Sequence, residues 1–92
     1  MDTVSKMVDL ISGLREIAED VEGFFHVDVN QYGVMEVQIS FGNVFFELFD
    51  TFDVINRKDE NYPYKAETDV EGVKFYTILD EESYNKYVKK TA

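Results

Sequence analysis

The chain has 92 residues, no cysteine and a formal net charge of −10. This length fits one domain, 1–92, and an apolar content of 45% is enough to build a core despite the charge. The composition excludes disulfides and thiolate sites, argues against a nucleic-acid ligand, and offers no run near the roughly 20 apolar residues that span a bilayer. Asp2 also stands where a signal peptide carries a basic residue. We therefore expect a soluble, cytoplasmic domain with no membrane partner.

Residues 3–22 form the clearest predicted element, an amphipathic helix. Its apolar residues recur at steps of three and four, namely Val4, Met7, Val8, Ile11, Leu14, Ala18 and Val21. The polar residues Asp9, Ser12, Glu16, Glu19 and Asp20 fall mostly on the opposite side. This pattern predicts a helix that packs its broad apolar face on the rest of the domain.

After this helix the period of the apolar residues changes from 3.6 to 2 residues, which is typical of strands. Alternation over 25–29 and 35–41 predicts two strands, with turns at 30–33 and 42–43. In the run 44–49, both the odd and the even positions are apolar except Glu47, so we expect a third strand there. Three strands joined by short turns predict an antiparallel meander covered on one side by the first helix.

The second half predicts a hairpin and a short helix. Residues 52–55 either extend the third strand or form a short separate piece, and 56–61 form an exposed loop. Strands at 64–69 and 73–79 flank Glu71-Gly72, and Asp80 caps a final helix. The predicted fold class is α+β in the order α-β-β-β-β-β-α, with the sheet built from an antiparallel meander and hairpin.

No catalytic or metal-binding motif stands out. His26 is the only histidine, and no spacing signals a second ligand or a nucleophile beside it. The acidic groups 50–53 and 80–82 lack the alternating oxygen pattern and turn glycine of a calcium loop. We expect no enzyme activity, no metal and no cofactor.

The distribution of charge is the feature that points to function. The first 56 residues hold eleven carboxylates against Lys6 and Arg15, a net charge of −9, whereas 57–92 carry −1. Carboxylates one helical turn apart, about 5–6 Å, approximate the phosphate spacing of about 7 Å in a nucleic-acid strand. The candidate partner-binding residues are Asp9, Glu16, Glu19, Asp20, Asp28, Glu36, Asp50 and Asp53.

The chain resembles the small acidic inhibitor proteins of phages and prophages of Gram-positive bacteria, including anti-CRISPR proteins and other DNA mimics. The resemblance lies in size, acidity, the lack of cysteine and the late hairpin 70–76, Val-Glu-Gly-Val-Lys-Phe-Tyr. These proteins share no motif, so the resemblance carries over no functional residue. It implies a partner class: a CRISPR effector, nuclease or other DNA-handling protein in the bacterial cytosol.

Two functional interpretations remain open. In the first, the chain is a non-enzymatic inhibitor that occupies the nucleic-acid-binding surface of a basic protein. In the alternative, it is a structural or regulatory module that forms a homodimer through an apolar sheet face or edge, and its acidity serves solubility. Salt dependence separates them, because screening weakens a charged interface far more than an apolar one.

Overall fold

A computed structural model of the chain describes residues 2–21 and 25–89. It confirms the α+β class and has three helices and five strands in these residues. The elements are α1 (Asp2–Val21), β1 (Phe25–Val29), β2 (Met35–Ile39), α2 (Gly42–Leu48), β3 (Asp53–Asn56), β4 (Tyr64–Val70), β5 (Val73–Leu79) and α3 (Glu81–Tyr87). Position 22, the predicted end of the first helix, lies outside the described residues. No helix in the described ranges is long and apolar enough to cross a membrane.

The five strands form one mixed sheet in the order β1-β2-β5-β4-β3. β1 and β2, β3 and β4, and β4 and β5 pair antiparallel, whereas β2 and β5 pair parallel. The predicted purely antiparallel sheet is therefore wrong at the β2–β5 pair. That pair joins strands far apart in sequence, so no local turn could have predicted it. β1 and β3 are the two edges of the sheet.

Residues 44–49 do not form the predicted third strand, because 42–48 are the helix α2. A short apolar run has no period that separates a strand from a buried helix. Val44 and Phe45 are buried, while Glu47 on the other side of the helix is exposed. The third strand along the chain is instead β3, Asp53–Asn56, in the region where the sequence left open an extension of the strand at 44–49 or a short separate piece.

The core lies between α2 and the middle of the sheet. Its buried apolar residues are Ile39, Val44, Phe45, Ala66 and Leu79. Phe45 contacts three other aromatic rings, those of Phe46, Phe49 and Phe52, with centroids 5.3, 4.9 and 6.1 Å away. Gly42 allows the start of α2 to approach β5, since a Cβ there would lie 3.2 Å from Cδ2 of Leu79.

The late hairpin and the C-terminal helix are as predicted. Glu71 and Gly72 both have positive φ, 49° and 86°, as a two-residue turn of type I′ requires. The Asp80 carboxylate accepts a hydrogen bond from the Ser83 backbone N–H at 2.7 Å and caps α3. α3 packs beside the sheet through Tyr84, whose ring stacks on that of Tyr64 with centroids 3.8 Å apart.

The predicted packing of α1 on the sheet is wrong. Leu10 is 70% exposed and Ile11 63% exposed, and Val4, Met7, Val8 and Ile17 are each at least half exposed. Leu14 and Ala18 are only partly buried, and no described α1 residue belongs to the core cluster or packs against it. The amphipathic period of α1 is real, but its apolar side does not pack on the core formed by the described residues.

Candidate protein-binding surface

One face of the sheet is polar, and strand pairing decides which residues share it. Asp28 on β1, Glu36 on β2, Lys74 on β5 and Asp69 on β4 are successive partners in one row across four strands. The next row contains His26, Gln38, Tyr76, Glu67 and Asp53. Lys65 lies on the same side of β4 as Glu67. The polar face therefore holds five carboxylates and two lysines, a net charge of −3.

Asp28 and Glu36 are the central pair of candidate residues on this polar face. They are direct cross-strand partners, so their Cβ atoms are about 4.5–5.5 Å apart. Asp28 is exposed and Glu36 is partly exposed. Neither carboxylate belongs to any of the ion pairs found in the described residues. Like charges in such positions destabilise a sheet, so folding alone does not explain the pair.

Glu67 differs from its acidic neighbours because lysines neutralise it. Its carboxylate lies 3.4 Å from Nζ of Lys65 and 3.3 Å from Nζ of Lys74. Burial alone would raise the pKa of Glu67, but hydrogen bonds from Lys74 and Lys65 outweigh that effect and lower it. Glu67 therefore belongs to a structural ion-pair network and is not an available charge for a partner.

Two neighbouring groups respond to the negative potential of the polar face. Burial raises the pKa of Tyr76, and the carboxylates of Glu36 and Asp28 raise it further. The Glu67 hydrogen bond raises the pKa of Lys74, and Asp69 and Glu36 add to the effect. The Asp28–Glu36 end of the polar face thus retains excess negative charge despite the lysine beside it.

The α1 carboxylates form a second acidic surface. Asp9, Glu16, Glu19 and Asp20 are all exposed, as predicted from the helix pattern. Glu19 pairs with Arg15 at 3.6 Å, one turn earlier, and both side chains are largely solvent-exposed. Such a pair is weak, so α1 still presents an acidic side. No extensive packing in the described residues holds this side against the sheet.

The remaining two candidates lie apart from Asp28 and Glu36. Asp53 is on β3, three strand spacings or about 14 Å from β2. Asp50 lies on the helix side of the sheet, where it lines a cavity of about 270 Å³ with Phe46, Phe49, Phe52 and Tyr87. The structure therefore does not unite the eight predicted residues in one site. It divides them into an α1 set, a sheet pair and two isolated positions.

The other candidate sites gain no neighbours that would give them chemistry. His26 is exposed on the polar face opposite Gln38, as the strand parity predicted. Among the described residues, no group of three or more His, Asp or Glu side chains is placed to hold a metal ion. The Asp80 carboxylate caps a helix, and that hydrogen bond lowers its pKa.

Sequence reasoning missed the contribution of the late hairpin to the polar face. The two-residue turn at 71–72 already places Asp69 opposite Lys74 and Glu67 opposite Tyr76. These two pairs could therefore have been predicted from the sequence. The position of Lys74 beside Glu36 could not have been found, because it depends on the parallel β2–β5 pair. Comparisons with protein-family models, curated proteins and solved structures found no match to this chain.

Proposed function

We propose that the chain is a non-enzymatic protein-binding domain that inhibits a basic nucleic-acid-binding protein by occupying its nucleic-acid site. The observation that carries this proposal is the Asp28–Glu36 pair, two adjacent like charges without ion-pair partners among the described residues. Natural surfaces retain locally destabilising groups where those groups serve binding. A CRISPR effector or a nuclease has the Lys/Arg groove that such a pair fits.

The acidic side of α1 supports the proposal as a second contact. Asp2, Asp9 and Glu16 recur every seven residues along the helix, about 10.5 Å apart. Long-range attraction between these charges and a basic groove would raise the association rate before any contact forms. The domain thus needs no deep cavity for this function.

A pull-down from a bacterial lysate tests the proposal. Immobilised wild-type protein should capture a basic nucleic-acid-binding protein at about 0.1 M salt and release it near 1 M, where the screening length is about 3 Å. Excess duplex DNA should also displace the captured protein, because both compete for one site. Retention at high salt, or indifference to the nucleic acid, would overturn the proposal.

Matched variants locate the surface. Asp28→Asn with Glu36→Gln removes two charges from the sheet pair, and Glu47→Gln with Glu60→Gln removes two exposed charges elsewhere. We expect the first variant to lose capture and the second to keep it. Asp59 is unsuitable as a control, since its carboxylate accepts backbone hydrogen bonds from Asn61 and Tyr62 and holds the loop.

A further inference from the structure

α1 divides into two sides with a seven-residue repeat. With Val4 at heptad position a, positions a, d, e and g hold nine apolar residues, Thr3 and Arg15. Positions b, c and f hold no apolar residue and contain all five α1 carboxylates. This is the pattern of a helix that packs against other helices, and its apolar side is exposed in this structure.

α1 lacks internal support for standing alone in water. Most helical stability in proteins comes from packing an apolar face, which α1 does not do within the described chain. Gly13 lies in its middle, with no atom within 4 Å of the Cβ it lacks. Glu19 and Asp20 lie near its C-terminal end, where negative charge opposes the helix dipole. A second helix against the apolar side would offset these costs.

We propose that the apolar side of α1 pairs with α1 of a second copy of this chain in an antiparallel, two-fold dimer. An identical helix is the natural complement, since the same apolar positions face each other across a two-fold axis. In the antiparallel register, Ile11 of one copy lies beside Leu14 of the other, and Met7 lies beside Ala18. The two Ile11–Leu14 contacts then form two interface layers of large side chains. The two Met7–Ala18 contacts form two layers that each combine a large side chain with a small one.

Charge decides the direction of the pairing. A parallel pair would place the acidic C-terminal ends of both helices, with Glu19 and Asp20, at the same end of the dimer and align the two helix dipoles. The antiparallel pair separates these acidic ends and brings each one beside the N-terminal end of the other helix, which carries the positive end of the dipole and Lys6. All five α1 carboxylates lie at the outer positions b, c and f, so the pairing leaves the acidic side of α1 exposed. The pairing does not depend on the proposed function.

The surface area that the apolar side of α1 would bury on pairing is close to that of a stable dimer interface. α1 is about 30 Å long and about 10–12 Å across, so four-sevenths of its circumference amounts to roughly 600 Å² per copy. Stable interfaces bury about 800 Å² per partner. The apolar strip of Val27, Val29 and Met35, which is 64% exposed at Val29, can supply the remainder. Only residues 22–24 separate α1 from β1, the strand that holds Val27 and Val29.

The oligomeric state of the full chain tests this inference. Sedimentation velocity from about 5 to about 500 µM should show the mass rising from 10.7 kDa to twice that value. Ile11→Glu with Leu14→Glu buries unpaired charge and should weaken the dimer at least about 100-fold. Ser12→Glu with Gly13→Glu adds the same charge on the outer side of the same turn and should change the affinity less than about threefold.

Circular dichroism of the Ile11→Glu, Leu14→Glu variant distinguishes pairing between chains from packing within one. The variant should keep the folded sheet, because these side chains lie outside its core. A variant that unfolds the sheet, a wild type that stays monomeric throughout, or a dimer that survives both glutamates would overturn the inference.

Cross-linking tests the direction. The chain has no cysteine, so Met7→Cys with Ala18→Cys introduces the only two thiols. A short bifunctional thiol reagent should join position 7 of one copy to position 18 of the other, as peptide mass spectrometry would reveal. Links of 7 to 7 and 18 to 18 would overturn the antiparallel arrangement.

Discussion

Asp28 and Glu36 lie directly opposite each other on β1 and β2, and neither carboxylate forms an ion pair within the described residues. Beyond Glu36 on the same row lies Lys74, whose ammonium group instead contacts Glu67 at 3.3 Å. The lysine that could neutralise Glu36 is thus engaged elsewhere. The pair therefore leaves uncompensated negative charge on the sheet, which the proposed binding of a positively charged partner requires.

Asp28→Lys should therefore stabilise the domain while abolishing capture of a basic partner. Replacing a like-charge cross-strand pair by an opposite-charge pair contributes about 0.2–1 kcal/mol, and urea unfolding measures it. His26→Lys adds a positive charge on the same face of the same strand but relieves no repulsion. A stabilisation by His26→Lys as large as that by Asp28→Lys would show that overall charge, and not the pair, matters.

Phe45→Ala should cost about 3–5 kcal/mol, because this fully buried ring fills the centre of the core. The control is Tyr32→Ala in the turn between β1 and β2, where the side chain is 84% exposed. That change should stay within about 0.5 kcal/mol. Chemical denaturation measures both, and a small effect at Phe45 would contradict the position of α2 over the sheet.

Thr77→Val should be neutral or stabilise the domain by about 1–2 kcal/mol. The Thr77 side chain is fully buried, and its Oγ1 has no hydrogen-bond partner among the described residues. Removing an unsatisfied buried hydroxyl relieves its desolvation cost. Thr68→Val on β4, at a less buried position, serves as the control. A loss above about 1 kcal/mol at Thr77 would reveal a hydrogen bond to its hydroxyl.

The Glu67 network should make stability fall in acid. Because the folded pKa of Glu67 is lowered from its ordinary value of 4.5, the unfolded chain binds its proton more readily. The stabilisation is fully present above about pH 4.5 and is lost as pH falls through the folded pKa. Its size should be about 1 kcal/mol or less, since solvent reaches both lysines.

Glu67→Gln should remove that part of the acid dependence and leave the neutral-pH fold unchanged. Thermal melts of wild type and variant between about pH 3 and 7 would converge in acid, where Glu67 is protonated in both states. If the melting temperatures of wild type and variant differed by the same amount at every pH, the lysine contacts would contribute no pH-dependent stability.

Local chemistry in the sequence determined the elements whose causes are local. The period of α1, the alternation of β1 and β2, the Glu71-Gly72 turn and the Asp80 cap each depend on residues a few positions apart. Such patterns predict where an element lies and which of its sides is polar. They correctly predicted that Asp9, Glu16, Glu19, Asp20 and Asp28 are exposed.

Only the tertiary structure decided what each apolar surface contacts. Residues 44–48 are helical because the sheet beneath them offers a core position for Val44 and Phe45. Local periodicity carries no such information. The parallel β2–β5 pair places Lys74 beside Glu36, although 38 positions separate them. The same period that predicted α1 could not reveal that its apolar side stays exposed, because amphipathicity requires a partner surface without specifying which chain provides it.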